Sequence, residues 1–272
     1  MALVTGTTIV LLVFGAAVFA PLLAPMDPIT QDLLHRLQPP SWLTDGESRY
    51  ILGSDGFGRD VFSRILFASR VSLAVVLTAI VIAGCVGTVL GLIAGYYEGI
   101  PGIIIMRTVD AQLAIPPILL ALVVVAIFGA SLPNLIIVLT ISGWVTYTRI
   151  VYSEALSIKH MEYVLAARSL GASGLRIMTS HILRNALGAV IVVATLQVGR
   201  LILFEAGLSF LGLGVPPPTP SFGSMLSEGQ SVLPVAAWVS TFPGVAVIVM
   251  VLGINFLGNG LRDLLDPRLR VG

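Results

Sequence analysis

The chain has 272 residues, of which 56% are hydrophobic and 11% charged, with a formal net charge of +1 and a mean hydropathy of +0.99. That is about half the charge of a soluble domain, which excludes a water-soluble globule and makes this an integral membrane protein. The near-neutral balance, with no basic stripe interleaved with aromatics, excludes a nucleic-acid partner, and the single cysteine, Cys85, excludes an intrachain disulfide.

A helix that crosses a bilayer needs about 20 mainly apolar residues. The sequence offers six such windows, so the expected fold is an all-α polytopic bundle of about six transmembrane helices set in lipid, with no separate soluble domain. Residues 1–25 form the first transmembrane helix, 26–70 an extracytoplasmic segment, 71–258 a five-helix core and 259–272 a polar tail. The first window has no Lys or Arg ahead of it and only a poor cleavage site near Ala20, so an uncleaved helix is expected in place of a signal peptide. Residues 26–70 are polar and carry turn signals at Pro28, Pro39, Pro40, Gly46 and 53–58, with some helix at the end. Within 55–60, Asp-Gly-Phe-Gly-Arg-Asp lacks the alternating acids and final glutamate of a calcium loop and reads as a turn held by carboxylate hydrogen bonds.

The second span is 72–96, where Gly87, Gly91 and Gly95 recur at the small-xxx-small spacing that lets a neighbouring helix approach closely. Residues 98–107 read as a short turn around Gly99, Pro101 and Gly102. The third span, 108–128, is kinked or unwound by Pro116 and Pro117. A tight turn at 131–134 leads into the fourth span, 135–152, whose Trp144, Tyr147 and Tyr152 suit an interfacial aromatic belt. After a polar stretch, 186–211 is the fifth span, 214–220 breaks the helix, 221–233 is too short to cross, and 234–257 is the last span.

Positive charge sets the expected orientation. With both termini cytoplasmic, the inner segments hold Arg107, Arg149, Lys159, Arg168, Arg176, Arg184, Arg262, Arg268 and Arg270. Arg36, Arg49, Arg59, Arg64 and Arg70 fall in the long first loop, where acids accompany them.

The polar stretch 154–187 organises the rest. In its first half Tyr163, Ala166, Ala167 and Leu170 share one helical face, with Glu162, Arg168 and Ser169 opposite. Gly171 then stops the helix as a C-terminal glycine, and Ser173 can cap a second short helix with Leu175, Met178 and Ile182 on one face. The result is a compact knob with small residues at its tip, either packed on its own bundle or offered to a partner.

The chemistry missing from the chain is as informative. The only lysine, Lys159, lies outside any glycine-rich phosphate loop, so this is no P-loop ATPase. His35, His160 and His181 show no metal-ligand spacing, and no protease motif occurs. Within the fifth span, however, Gln197, Arg200 and Glu205 are polar. A charge there faces the bundle interior, a partner or a wet cavity, which leaves two roles open, a structural bridge between helices or the lining of a pathway.

Two sets of residues resemble a known family. Residues 166–173, Ala-Ala-Arg-Ser-Leu-Gly-Ala-Ser, followed by His181, Ile182 and Leu183, are similar to the EAA loop of ABC-importer permeases, although Leu165 stands where that motif is acidic and Arg184 where it usually has proline. Residues 52–64 and 70–73, 205–214 with 217–223, and the tail 260–270 resemble the dipeptide, oligopeptide and nickel branch of binding-protein-dependent permeases. The resemblance implies a type I importer permease fold in a bacterial or archaeal cytoplasmic membrane. It implies a non-enzymatic subunit that works by alternating access with a second permease, two cytoplasmic ATPases and an extracytoplasmic substrate-binding protein. ATP and Mg would be bound by the ATPases, with no cofactor on this chain. Leu165, Ala166, Ala167, Arg168, Leu170, Gly171, Ala172, Ser173 and Gly174 would then couple the chain to the ATPases. Peptides are the expected cargo, with nickel or another metal chelate as the alternative. An ion-coupled carrier should instead show inverted repeats around midplane acids, and a channel a filter sequence or rings of like charge; neither pattern is present.

Overall fold

A computed structural model describes residues 2–43 and 49–265; the turn expected at Gly46 and the end of the tail, 266–272, lie outside them. The regular structure of the described residues is helical apart from an isolated antiparallel bridge between Ser54 and Asp60. The helices are α1 (Ala2–Val18), α2 (Ala20–Leu23), α3 (Val61–Tyr97), α4 (Gly99–Leu113), α5 (Pro117–Phe128), α6 (Leu132–Ile158), α7 (Glu162–Ser169), α8 (Gly174–Arg176), α9 (Arg184–Phe210), α10 (Phe222–Gln230) and α11 (Trp238–Leu265). A π-helical stretch, Ile177–Leu183, joins α8 to α9.

The six apolar windows are met in three ways. The helices Val61–Tyr97, Leu132–Ile158, Gly174–Phe210 and Trp238–Leu264 are each long and apolar enough to cross a membrane, and α4 with α5, bent by 87° at their junction, together have the length and apolarity of a broken span or a re-entrant loop. α1 is a shorter apolar helix of 17 residues, prolonged by the single turn of α2.

Packing follows the small residues. α3 lies along α6 with Gly87, Gly91 and Gly95 at the seam: a Cβ on Gly87 would sit 2.4 Å from the Trp144 carbonyl oxygen, and one on Gly91 2.7 Å from that of Thr148. The small-xxx-small expectation therefore holds, and α6 is the neighbour that uses it. α1 docks on α11 in the same manner, Gly253 receiving Ile9 and Gly6 meeting the backbone at Leu257. α9 contacts both pairs, so the apolar core around Val76, Ile80, Leu139, Ile202 and Met250 is continuous across the bundle.

Several boundaries differ from the expectation. α3 starts at Val61 because Asp60 caps it, its carboxylate accepting from the Ser63 amide at 2.8 Å and hydroxyl at 2.6 Å. Arg64 and Arg70 are thus helical. Residues 98–107 are mostly helix, since Pro101 lies in the first turn of α4, where no hydrogen bond is lost. Ser131–Asn134 is a helix cap, Ser131 Oγ accepting from the Asn134 amide at 3.3 Å. Pro116 and Pro117 break the third span outright. Tyr147 leaves the expected aromatic belt: it is buried in the core against α3, because the glycines opposite it leave room for a ring. Trp144 is also drawn inward, donating to Gln112 Oε1 at 2.6 Å.

Candidate functional site

The knob sits where α3 and α6 end. Gly171 has φ +84° with nothing within 4 Å of the place a Cβ would occupy, so this residue is required by the backbone and not by crowding. Ser173 Oγ accepts from the Arg176 amide at 3.4 Å, as its sequence position indicated. The second helix is not short, however: α8, the π stretch and α9 run without interruption from Gly174 to Phe210, so the knob's second arm is the fifth span itself. π turns are uncommon and concentrate at functional positions.

A cluster of its own seats the knob. Val164, Ile177 and Ile182 are buried against Leu92 of α3 and Val151, Ala155 and Ile158 of α6. Gly174 lies under the Tyr96 ring, where a Cβ would come 2.9 Å from its Cε1. Asn185 Nδ2 ties the two arms together, donating to Tyr163 Oη at 3.1 Å and to the His181 carbonyl at 2.6 Å. The packed face of α7 is therefore Val164 with part of Ala167, while Tyr163, Ala166 and Leu170, read from spacing as its apolar face, are exposed. Leu170 is 89% exposed and Leu175 67%, with Leu165 also uncovered. At the base, Lys159 donates to the Gly95 carbonyl at 3.0 Å and pairs with Glu98. Burial, with Arg168 nearby, holds its ammonium below the ordinary lysine range.

The polar residues of the fifth span divide. Glu205 is 0% exposed and accepts from Ser72 of α3 at 2.7 Å and Ser209 at 2.8 Å; it bridges helices. Gln197 is buried, its amide donating to Thr146 Oγ1 of α6 at 3.4 Å. Arg200 is exposed and takes no part in any ion pair among the described residues, each of which uses another base. It lines a cavity of about 240 Å³ with Gln112, Ile115, Pro117, Ser142 and Thr146, at the break between α4 and α5. The structure thus places Arg200 alone of the three on the cavity wall, sets Gln197 behind it on Thr146, and sends Glu205 elsewhere.

Sequence reasoning missed a third polar group. Asp55 Oδ1 accepts from the amides of Phe57 at 2.8 Å and Arg59 at 3.0 Å, the turn that was expected. Its other oxygen pairs with Arg59 Nε at 2.7 Å and with Arg64. Both arginines reach Glu228 of α10, at 2.6 and 2.7 Å. Trp238 Nε1 adds a bond to the Ser54 carbonyl at 3.1 Å. The only local signal was the run of charges from Asp55 to Arg64; Glu228 is 164 residues further on.

A bundle of apolar helices with a glycine-hinged knob at one end and polar side chains around a cavity within the spans has the anatomy of a membrane permease. Residues 87–271 match the family of binding-protein-dependent transport system inner membrane components, and residues 1–40 match the N-terminal transmembrane domain of oligopeptide transport permease C. The di/tripeptide transport system permease protein DppC of Pseudomonas aeruginosa is 42% identical over 265 residues, 97% of this chain and 88% of that protein. The glutathione transport system permease protein GsiD of Pectobacterium atrosepticum is 41% identical over 96% of this chain and 85% of its own length. The oligopeptide transport system permease protein OppC of Bacillus subtilis is 38% identical over 97% of this chain and 85% of its own. This chain belongs to the binding-protein-dependent transport system inner membrane component family.

Proposed function

We propose that this chain is a permease subunit of an ATP-driven importer of di- or oligopeptides. It works beside a second homologous permease, two cytoplasmic ATPases and an extracytoplasmic substrate-binding protein. Family membership and relatives named for di/tripeptide and oligopeptide transport support the assignment. The bases Lys159, Arg168, Arg176 and Arg184 around the knob support a cytoplasmic position for it and for both termini.

The observation that carries the reading is the knob: a backbone hinge at Gly171, a buried base on α3 and α6, and an uncovered apolar tip at Leu165, Leu170 and Leu175. An ATPase grips Leu165, Ala166, Arg168, Leu170, Gly171 and Ser173 from outside. Ala167, Ala172 and Gly174 face inward enough to transmit the load. When ATP closes the ATPase dimer, the knob moves with it, and the cluster of Val164, Ile177 and Ile182 passes the displacement to the helices that line the path. Taking such a two-state equilibrium from one side to the other requires about 5.5 kcal/mol of differential binding. Burying one exposed leucine is worth about 1.5–3 kcal/mol. Three leucines meet the requirement only if they dock more completely in one state than in the other, which is the condition for hydrolysis to drive transport.

Gly171→Val tests this. The left-handed backbone costs an ordinary residue about 1–2 kcal/mol and a β-branched one more, so the hinge should adopt another conformation. In proteoliposomes holding the whole complex, ATP hydrolysis should continue while peptide uptake falls. Uptake at the wild-type ratio of peptide to ATP would contradict the reading.

A further inference from the structure

Resting on the peptide-importer reading, we propose that Arg200 forms a carboxylate-recognition site inside the translocation path, binding the free α-carboxylate of a peptide in transit. Arg200 lies within the apolar span Gly174–Phe210, ten residues before its end. A guanidinium within such a span is costly unless it meets water, a counter-charge or a polar ligand. Every other polar group of the wall for which a bond is seen is already engaged. Gln112 accepts from Trp144 at 2.6 Å and donates to the Ile141 carbonyl. Thr146 accepts from Gln197, and Ser142 donates to the Val138 carbonyl at 2.8 Å.

Arg200 is the exception, a fork of donors at the edge of a cavity of about 240 Å³ with no carboxylate of the described chain in reach. The cavity exists because Pro116 and Pro117 part the helix there, with the two halves at 87°. A cavity of this size holds a short peptide or the end of a longer one, whose remainder would extend toward the second permease. A planar guanidinium matches a carboxylate through two parallel hydrogen bonds, which a neutral or cationic cargo end would not satisfy. The nearest competing explanation is an acid of the second permease that closes over Arg200 as an inter-subunit ion pair.

The experiment uses the complete complex with its binding protein in proteoliposomes, and radiolabelled di-, tri- and tetra-alanine as probes. Uptake, ATP hydrolysis stimulated by loaded binding protein, and subunit stoichiometry after solubilisation are measured together for wild type, Arg200→Gln and Arg200→Lys. The site predicts that Arg200→Gln lowers uptake about tenfold or more, the size of a lost charge-assisted hydrogen bond, with assembly intact and hydrolysis continuing. Arg200→Lys should recover only part of the uptake, since it restores the charge without the fork. Unchanged uptake in Arg200→Gln overturns the proposal. Loss of the second permease from Arg200→Gln complexes also overturns it, in favour of the inter-subunit ion pair. A wild-type complex that takes up none of the three peptides at the expense of ATP overturns the peptide-import reading and this site with it. That result is distinguishable, because it precedes any substitution.

Discussion

The α3–α6 pair and the α4 and α5 helices packed against it are built in opposite ways. Along α3 and α6, glycines bring two helices into backbone contact, Tyr147 fills the space they leave, and Asp55, Arg59, Arg64 and Glu228 lock the end at which α3 begins. α4 and α5 are parted by two prolines, bury few residues and border a cavity lined by Arg200, which pairs with no acid among the described residues. One region is tightly packed, even at the cost of leaving Asp60 Oδ1, Arg64 Nε, Thr140 Oγ1 and Tyr147 Oη buried without a hydrogen-bond partner among the described residues, and the other is loosely packed and open. Stiffness where the knob is anchored and latitude where cargo would pass is the division of labour a lever needs, because a force applied at Leu170 reaches the cavity only through helices that do not yield.

The largest effect in breaking that contrast should come from the ion network. Arg64 is 2% exposed, and removing one member of a buried charged group typically costs about 3–5 kcal/mol. Arg64→Ala should therefore lower the thermal stability of the purified complex sharply and release the segment ahead of α3 to protease. A smaller but clear loss is expected for Gly91→Leu, where even the Cβ would come 2.7 Å from a backbone oxygen; overpacking of this kind costs about 1–3 kcal/mol or more. Ala126→Leu, on the exposed side of α5, is the matched control and should change stability by no more than about 0.5 kcal/mol. Equal losses at both positions, read by thermal unfolding in one detergent, would erase the distinction between the two regions.

The smallest effect belongs to the surface of the first loop. A hydrogen bond with His35, helped by Arg49, holds the Asp32 carboxyl below its ordinary range. For a carboxylate with a depressed folded value, the contribution is present above the unfolded value of 3.8 and disappears as pH falls through the folded one. Protease resistance of the loop should therefore be flat from neutral pH to the mildly acidic range, and Asp32→Asn should differ little from wild type there. The pair is open to solvent, where ion pairs contribute little. A marked loss of resistance near neutral pH would show that this surface pair matters more than its exposure allows.

Much of this was legible in the sequence because its causes are local. Apolar windows, the glycine repeat, the cap at Ser173 and the left-handed position at Gly171 each need only neighbours in the chain. Arg64 was misread as a loop charge, since its partner Glu228 comes from a distant helix and no local pattern announces it. Tyr147 looked interfacial because an aromatic near a span end usually is, and only the glycines across the seam make room to bury it. The packed face of α7 was misplaced for a related reason. Val164 packs on Leu92 and Val151, a contact set by where α3 and α6 end, whereas spacing within eight residues fits more than one face. Arg200 and Glu205 looked alike in sequence, and the fold separated them by giving two serines to one and a cavity to the other.

The account stands or falls on what touches the tip of the knob. A photoreactive benzoylphenylalanine in place of Leu170, irradiated in native membranes with and without trapped nucleotide, reads that contact directly. The account predicts a crosslink to an ATPase subunit whose yield changes between the two nucleotide states. A crosslink confined to lipid or to this chain, or labelling of the tip by a reagent restricted to the outer face, would contradict it.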